Sequence, residues 1–163
     1  DDRHAARLLA AVLGDETGSR LFWELVDPGL AEHVALHHCE YDGAGLMMTY
    51  MSCDPERAEG NLRRILDLYR HVQSDVPVTG EELAQAKSKL SSRMVLSGER
   101  PRGRLFSVGG EWVQRRQYRS VRDELEATAA VTPEHVAAVL ARYPLTRSTT
   151  VTIGPLAEVS AAG

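Results

Sequence analysis

Residues 31–53 read AEHVALHHCEYDGAGLMMTYMSC, and the period of this stretch decides the fold. From Ala31 to Tyr41 the side chains alternate. Ala31, His33, Ala35, His37, Cys39 and Tyr41 share one face of a strand, and Glu32, Val34, Leu36, His38 and Glu40 share the other. Asp42-Gly43 supplies the backbone freedom of a tight hairpin turn. Leu46 to Cys53 is nearly all apolar and predicts the returning strand, more buried than the first.

On either side of this hairpin the period lengthens to that of a helix. Upstream, Ala5, Leu8, Leu9, Val12 and Leu13 fall on one helical face that ends at Gly14,. Ser19 is placed to cap a short second helix carrying Leu21, Phe22, Leu25 and Val26, and Asp27-Pro28-Gly29 stops it. Downstream, Asp54-Pro55 opens a helix through Ala58, Leu62, Ile65, Leu66, Tyr69 and Val72, broken at Asp75 to Pro77. Thr79 with Glu82 forms a capping box for a helix through Leu83, Ala86, Leu90 and Met94. Further helices are expected around Leu105, Val108, Trp112 and Val113, over Val121 to Leu125, and from Thr132-Pro133 through Val136, Val139 and Leu140. Thr149 to Ile153 predicts a closing strand, and the tail to Gly163 is expected to fray. The fold class is therefore α+β: an antiparallel-rich mixed sheet of at least three strands with several helices packed on one face. Residues 1–163 form one domain in this reading. The chain opens directly on a helix, so a leading strand or strand pair is expected outside this sequence or from a partner.

Composition narrows the function classes. The chain of 163 residues is 43% hydrophobic and 26% charged with a net charge of −4, which describes a globular domain and argues against a nucleic-acid binder,. No apolar run is long enough to span a bilayer. Asp1-Asp2-Arg3-His4 has no secretory pattern, which leaves a cytoplasmic or a periplasmic location open. Cys39 and Cys53 read as two reduced thiols, with a cross-strand disulfide as the alternative.

Three constellations could carry chemistry. His33, His37, His38 and Cys39 are metal-ligand types, but His33 and His37 lie about 13 Å apart on a strand, so only His37 and Cys39 could converge. The sequence reading assigns no metal to them. Arg100, Arg102, Arg104, Arg115, Arg116, Arg119 and Arg122, interleaved with Glu99, Glu111, Asp123 and Glu124, form either a solvated helix face with local ion pairs or an interdomain surface. Gly14 to Ser19 precedes a helix start but lacks the phosphate-loop lysine, so it reads as cap chemistry.

One ordered set of motifs is more specific. Leu13-Gly14, Gly18-Ser19-Arg20-Leu21-Phe22, Leu25 and Gly29-Leu30-Ala31 occur in that order, followed by Thr79-Gly80-Glu81-Glu82-Leu83, Ala86-Lys87, Val131-Thr132-Pro133-Glu134 and Thr152-Ile153-Gly154-Pro155. Together they resemble the C-terminal homology domain of the insulinase and mitochondrial processing peptidase family of zinc metallopeptidases. The resemblance implies two similar α+β domains enclosing a chamber. The partner domain would hold zinc in H-x-x-E-H, whose Glu activates water. No histidine here has Glu and His at those offsets, so the resemblance assigns this chain to the non-catalytic, chamber-closing domain, with no cofactor of its own. It implies peptide contact at Gly29, Leu30 and Ala31. It also implies a zinc-bearing homologous domain, in the same or a separate chain, as partner, and leaves homo-oligomers open. Active relatives carry Arg and Tyr where Val26 and Glu32 stand. That departure supports the alternative of a structural or assembly subunit without a peptidase role. Either reading calls for an exposed apolar docking face.

Overall fold

The computed structural model describes residues 2–160. Helix α1 (Arg3–Gly14) leads into a five-residue π-helical turn (Phe22–Val26) and then into the hairpin of β1 (His33–Tyr41) and β2 (Ala44–Ser52). A short 3₁₀ turn (Pro55–Arg57) precedes α2 (Ala58–Ser74), α3 (Gly80–Gly98), α4 (Pro101–Arg115), α5 (Val121–Ala129) and α6 (Pro133–Arg142). The strands pair antiparallel from His33 opposite Ser52 to Tyr41 opposite Ala44, with Gly43 at φ +70° in the turn. The α+β class and the packing of helices on one sheet face are as the sequence indicates.

The core sits where α1 lies on β1. Leu8, Leu9 and Leu13 of α1 are buried with Leu21 and Leu25 of the π turn and Val34 and Leu36 of β1. Ile65, Tyr69 and Val72 of α2, Leu83 and Ala86 of α3, and Val136, Val139 and Leu140 of α6 close over them. The approach of α1 to the strand requires a residue without a side chain. A Cβ on Gly14 would lie 2.3 Å from the Leu36 backbone nitrogen. The predicted capping box is present at Thr79 with Glu82, and the helix start read at Thr132-Pro133 carries another, in which His135 takes the reciprocal role. Ser120 and Asp123 form a third. Asp54 makes no side-chain cap; its backbone carbonyl accepts from Arg57 N at 3.0 Å.

Two expectations change. Thr149 to Ile153 is not a strand: the sheet of the described residues has two strands, and Ile153 is fully exposed. An alternating apolar segment becomes a strand only beside a partner edge, and none among the described residues pairs with it,. The burial order of the hairpin is also reversed. β1 holds the buried run Val34, Ala35 and Leu36, whereas Leu46, Met48 and Tyr50 of β2 are exposed, because α1 packs against β1 and the outer face of β2 has no cover. Cys39 and Cys53 are free thiols, as read from the sequence. Cys39 pairs with Leu46 while Cys53 follows Ser52 at the far end of the hairpin, so no cross-strand disulfide can form,. The tail from residue 161 lies outside the described residues.

Replacing Gly14 by Ala forces α1 off β1 and is expected to cost about 1–3 kcal/mol of stability. Urea unfolding followed by circular dichroism checks this, and an unchanged midpoint would mean that the helix docks without this close approach.

Candidate functional site

The turn that carries the family-like residues is built from the π-helical step. Asp27 N donates to Phe22 O at 2.9 Å and Leu30 N to Leu25 O at 2.8 Å, each five residues back. Leu21 and Leu25 anchor this turn in the core, while Val26 is half-buried against the core and Trp23 points outward. Gly29 reverses the chain at φ +69°, a left-handed conformation that side chains disfavour,.

The polar backbone of Gly29, Leu30 and Ala31 is largely engaged within the chain. Gly29 N donates to Val26 O and Ala31 N to Leu25 O, both at 2.9 Å. Asn61 Nδ2 of α2 donates to Leu30 O at 2.7 Å, and Arg57 Nη1 donates to Gly29 O. Glu32 N donates to Ser52 O at 2.9 Å, and its Oε2 accepts from Ser52 Oγ at 3.2 Å. Neither Val26 nor Glu32 offers a side-chain donor. Sequence reading located this turn but missed Arg57 and Asn61, which lie 28 and 31 residues from the carbonyls they hold.

Just beyond the turn, the hairpin presents an uncovered face. By register, Ala35 stands opposite Tyr50, His37 opposite Met48 and Cys39 opposite Leu46. Tyr41, Leu46, Met48 and Tyr50 are exposed along it, and the His33 ring lies 5.6 Å from that of Tyr50. The inner face is the opposite: Met47 and Met51 pack on the core, and Thr49 Oγ1 shares a hydrogen bond with Tyr69 Oη at 2.7 Å. Burial pushes the Tyr69 phenol up to about 12, against the pull of that bond. His37 and Cys39 lie on the outer face, and no group of three or more His, Cys, Asp or Glu side chains among the described residues is arranged to hold a metal.

The remaining titratable groups cluster at the other end of α1. Arg3 Nη1 donates to Glu111 Oε1 of α4 at 2.7 Å, and its Nη2 to Glu124 Oε1 of α5 at 3.1 Å. Arg7 bridges Glu124 and Glu40 of β1, Arg115 bridges Glu111 and Glu40, and Arg119 reaches Glu124 at 3.2 Å. Part of the arginine-rich stretch therefore combines local pairs with long-range ones: Arg115, paired with Glu111 one turn back and with Glu40, and Arg119 belong to a partly buried network joining α1, β1, α4 and α5. Charges so placed are tolerated because each guanidinium meets a carboxylate. His4 is buried beside Arg3, Arg119 and Glu124. Burial lowers it to about 4; Glu124 pulls it up, while Arg3, Arg7 and Arg119 press it further down. At the opposite end of α1, Asp15 accepts from Thr17 N and from Arg93, and Ser19 Oγ accepts from Phe22 N at 3.2 Å, the cap read for the Gly14–Ser19 segment.

Residues 1–90 match the family described as Peptidase M16 inactive domain. The chain belongs to this family. It is 30% identical over 160 residues to an uncharacterized zinc protease of Streptomyces coelicolor, covering 98% of this chain and 35% of that relative, so it spans about a third of the relative's length. The fold is shared with a peptidase M16 inactive domain from Pseudomonas fluorescens (TM-score 0.76, 22% identity, 86% of this chain and 34% of that one). It is also shared with a protease from Helicobacter pylori (TM-score 0.76, 19% identity, 88% and 35%) and a chain of Complex III2 from Candida albicans (TM-score 0.74, 14% identity, 85% and 35%).

Two outcomes follow. Asn61→Ala leaves the Leu30 carbonyl without its donor and is expected to cost about 1–3 kcal/mol in urea unfolding. The folded-state value of His4 lies below its ordinary value near 6.5, so the unfolded chain takes up this proton first and stability falls as pH drops from 6.5 toward about 4,. His38, also lowered by burial, acts in the same direction. His4→Gln is expected to remove about one proton from that pH slope, measured by unfolding at successive pH values.

Proposed function

We propose that this chain is the non-catalytic domain of an insulinase-type zinc metalloendopeptidase, that residues 1–163 act as one domain, and that it closes the chamber and holds peptide for a separate zinc-bearing domain. The observation that carries the reading is the uncovered outer face of the hairpin, with Tyr41, Leu46, Met48 and Tyr50 exposed directly beyond the family turn. An extended peptide has alternating side chains to bury, and a flat apolar sheet face accepts them. In this reading Gly29, Leu30 and Ala31 shape the rim of that surface without donating to the peptide, because their amides are already spent. Zinc and the water-activating Glu belong to the partner domain, as its H-x-x-E-H motif would provide.

A structural or assembly role is the second reading, and one observation favours it. At the two positions where active relatives carry Arg and Tyr, Val26 is packed against the core and the Glu32 carboxylate accepts from Ser52. The hydrogen-bond donors expected of a peptide clamp are missing there.

Peptide hydrolysis by the chain alone, by the zinc-bearing domain alone and by the mixture separates these readings. The chain alone is expected to cleave nothing and to raise cleavage on mixing. Met48→Asp on the outer face is expected to raise KM several-fold with kcat nearly unchanged, the mark of lost substrate binding. Hydrolysis by the isolated chain would overturn the non-catalytic assignment, and a mixture no more active than the zinc domain alone would favour the structural role.

A further inference from the structure

Helix α4 is amphipathic, but it faces the wrong way for a helix that packs by its apolar side. Leu105, Phe106, Trp112 and Val113 recur at i, i+1, i+7 and i+8, with Gly109 at the centre of the stripe,. All four large side chains point to water, 53% to 72% exposed. The one side chain α4 buries is Glu111, held by Arg3 and Arg115. The helix is thus docked by its charges and presents its hydrophobic residues outward. The end of α3 extends the patch. Leu96 faces Phe106 across a groove of about 480 Å³, whose walls also carry Arg93, Arg100 and Arg102. A contiguous apolar surface of this kind marks a site of association.

The charge around it selects the partner. Among the described residues, Arg100, Arg102, Arg104 and Arg116 meet no carboxylate. Arg102 lies over the Phe106 ring at 5.7 Å, and Arg104 lies over the Tyr118 ring at 5.5 Å while donating to Tyr118 Oη. Unpaired cations border the apolar stripe of a chain whose net charge is −4.

We propose that the outward face of α4, with the end of α3, docks an amphipathic helix with acidic flanks from a partner protein. The stripe is straight and two turns long, the form in which helices pack about 8–10 Å apart. A Cβ on Gly109 would meet nothing within 4 Å, which leaves room at its centre. Arg102 lies on the line of the stripe, and Arg116, the left-handed residue that caps the helix at φ +54°, stands just past its end, the two about 21 Å apart for 14 residues of rise,. Carboxylates spaced by the same length on the partner pair with both guanidinium groups while its apolar residues cover Phe106 and Val113. A membrane surface fits less well, because sinking the stripe into the acyl boundary would carry both arginines with it. This surface is on different elements from the hairpin face, and its occupant does not depend on the peptidase reading.

The test is fluorescence anisotropy with a labelled helical peptide of about 20 residues. The peptide carries a Leu/Ala face and Glu at both flanks, and its twin carries Lys in place of Glu. The acidic peptide is expected to bind and the Lys twin to bind at least tenfold more weakly. In Arg102→Glu/Arg116→Glu the preference is expected to reverse by about tenfold in favour of the Lys twin. Phe106→Ser/Val113→Ser is expected to abolish binding of either peptide with the thermal midpoint unchanged, since neither residue is in the core. Equal binding of the two peptides would overturn the proposal, as would no binding of the acidic one. So would tighter binding to phosphatidylserine vesicles than to the peptide, or self-association of the chain that Phe106→Ser/Val113→Ser removes.

Discussion

The contact of α1 with β1 at Gly14 and Leu36 is the constraint on which the rest of the molecule depends. Because the helix end meets the strand backbone itself, α1 is fixed in height and direction above the hairpin. Its leucines then have one place to go, against Val34, Leu36 and the π-turn leucines. Its two ends are carried to opposite sides. Asp15 arrives beside Arg93 of α3, and Arg3 and Arg7 arrive where Glu40, Glu111 and Glu124 meet. The hairpin, held by one face only, is left with the other open.

This division separates two kinds of cohesion. Around α1, β1, α2, α3 and α6 the chain is held by buried aliphatic side chains, whose stabilisation follows area and is indifferent to pH. The attachment of α4 and the start of α5 relies instead on paired charges, which contribute little net stability yet are costly to disrupt one partner at a time. Electrostatic attachment frees the apolar side of α4 for other use. The same economy applies at the family turn, where Arg57 and Asn61 hold carbonyls and the π step absorbs the amides.

Local signals were legible in the sequence because their causes are local. Thr79 with Glu82, Thr132 before Pro133, and Asp42-Gly43 between two strands act within a few residues and appear where they were read. The order of helices followed for the same reason. What depended on a distant partner was not legible. Thr149 to Ile153 has strand composition, but no partner edge among the described residues pairs with it. The sequence placed Leu105, Val108, Trp112 and Val113 on one helix without showing which way that helix turns, since Arg3 and Glu111 are 108 residues apart. Gly29, Leu30 and Ala31 could be located from resemblance, whereas the engagement of their backbone by α2 could not. The outer hairpin face was half legible: alternation named its β1 members, but the absence of cover over β2 is a tertiary fact.

The span of the charge lattice bears on how the chain is made. Arg3 and Arg7 leave the ribosome with α1, but Glu111 and Glu124 are 108 and 121 residues behind Arg3. At ordinary rates of synthesis that gap lasts roughly 5 to 20 s. Throughout it Arg7 already has Glu40 of β1, whereas the contacts of Arg3 with Glu111 and Glu124 cannot yet form. The hairpin and the leucine core can form early, from contacts within the first hundred residues. The N-terminal turn of α1 gains these contacts only when α4 and α5 bring Glu111 and Glu124, so the charge network is completed by the C-terminal third of the chain.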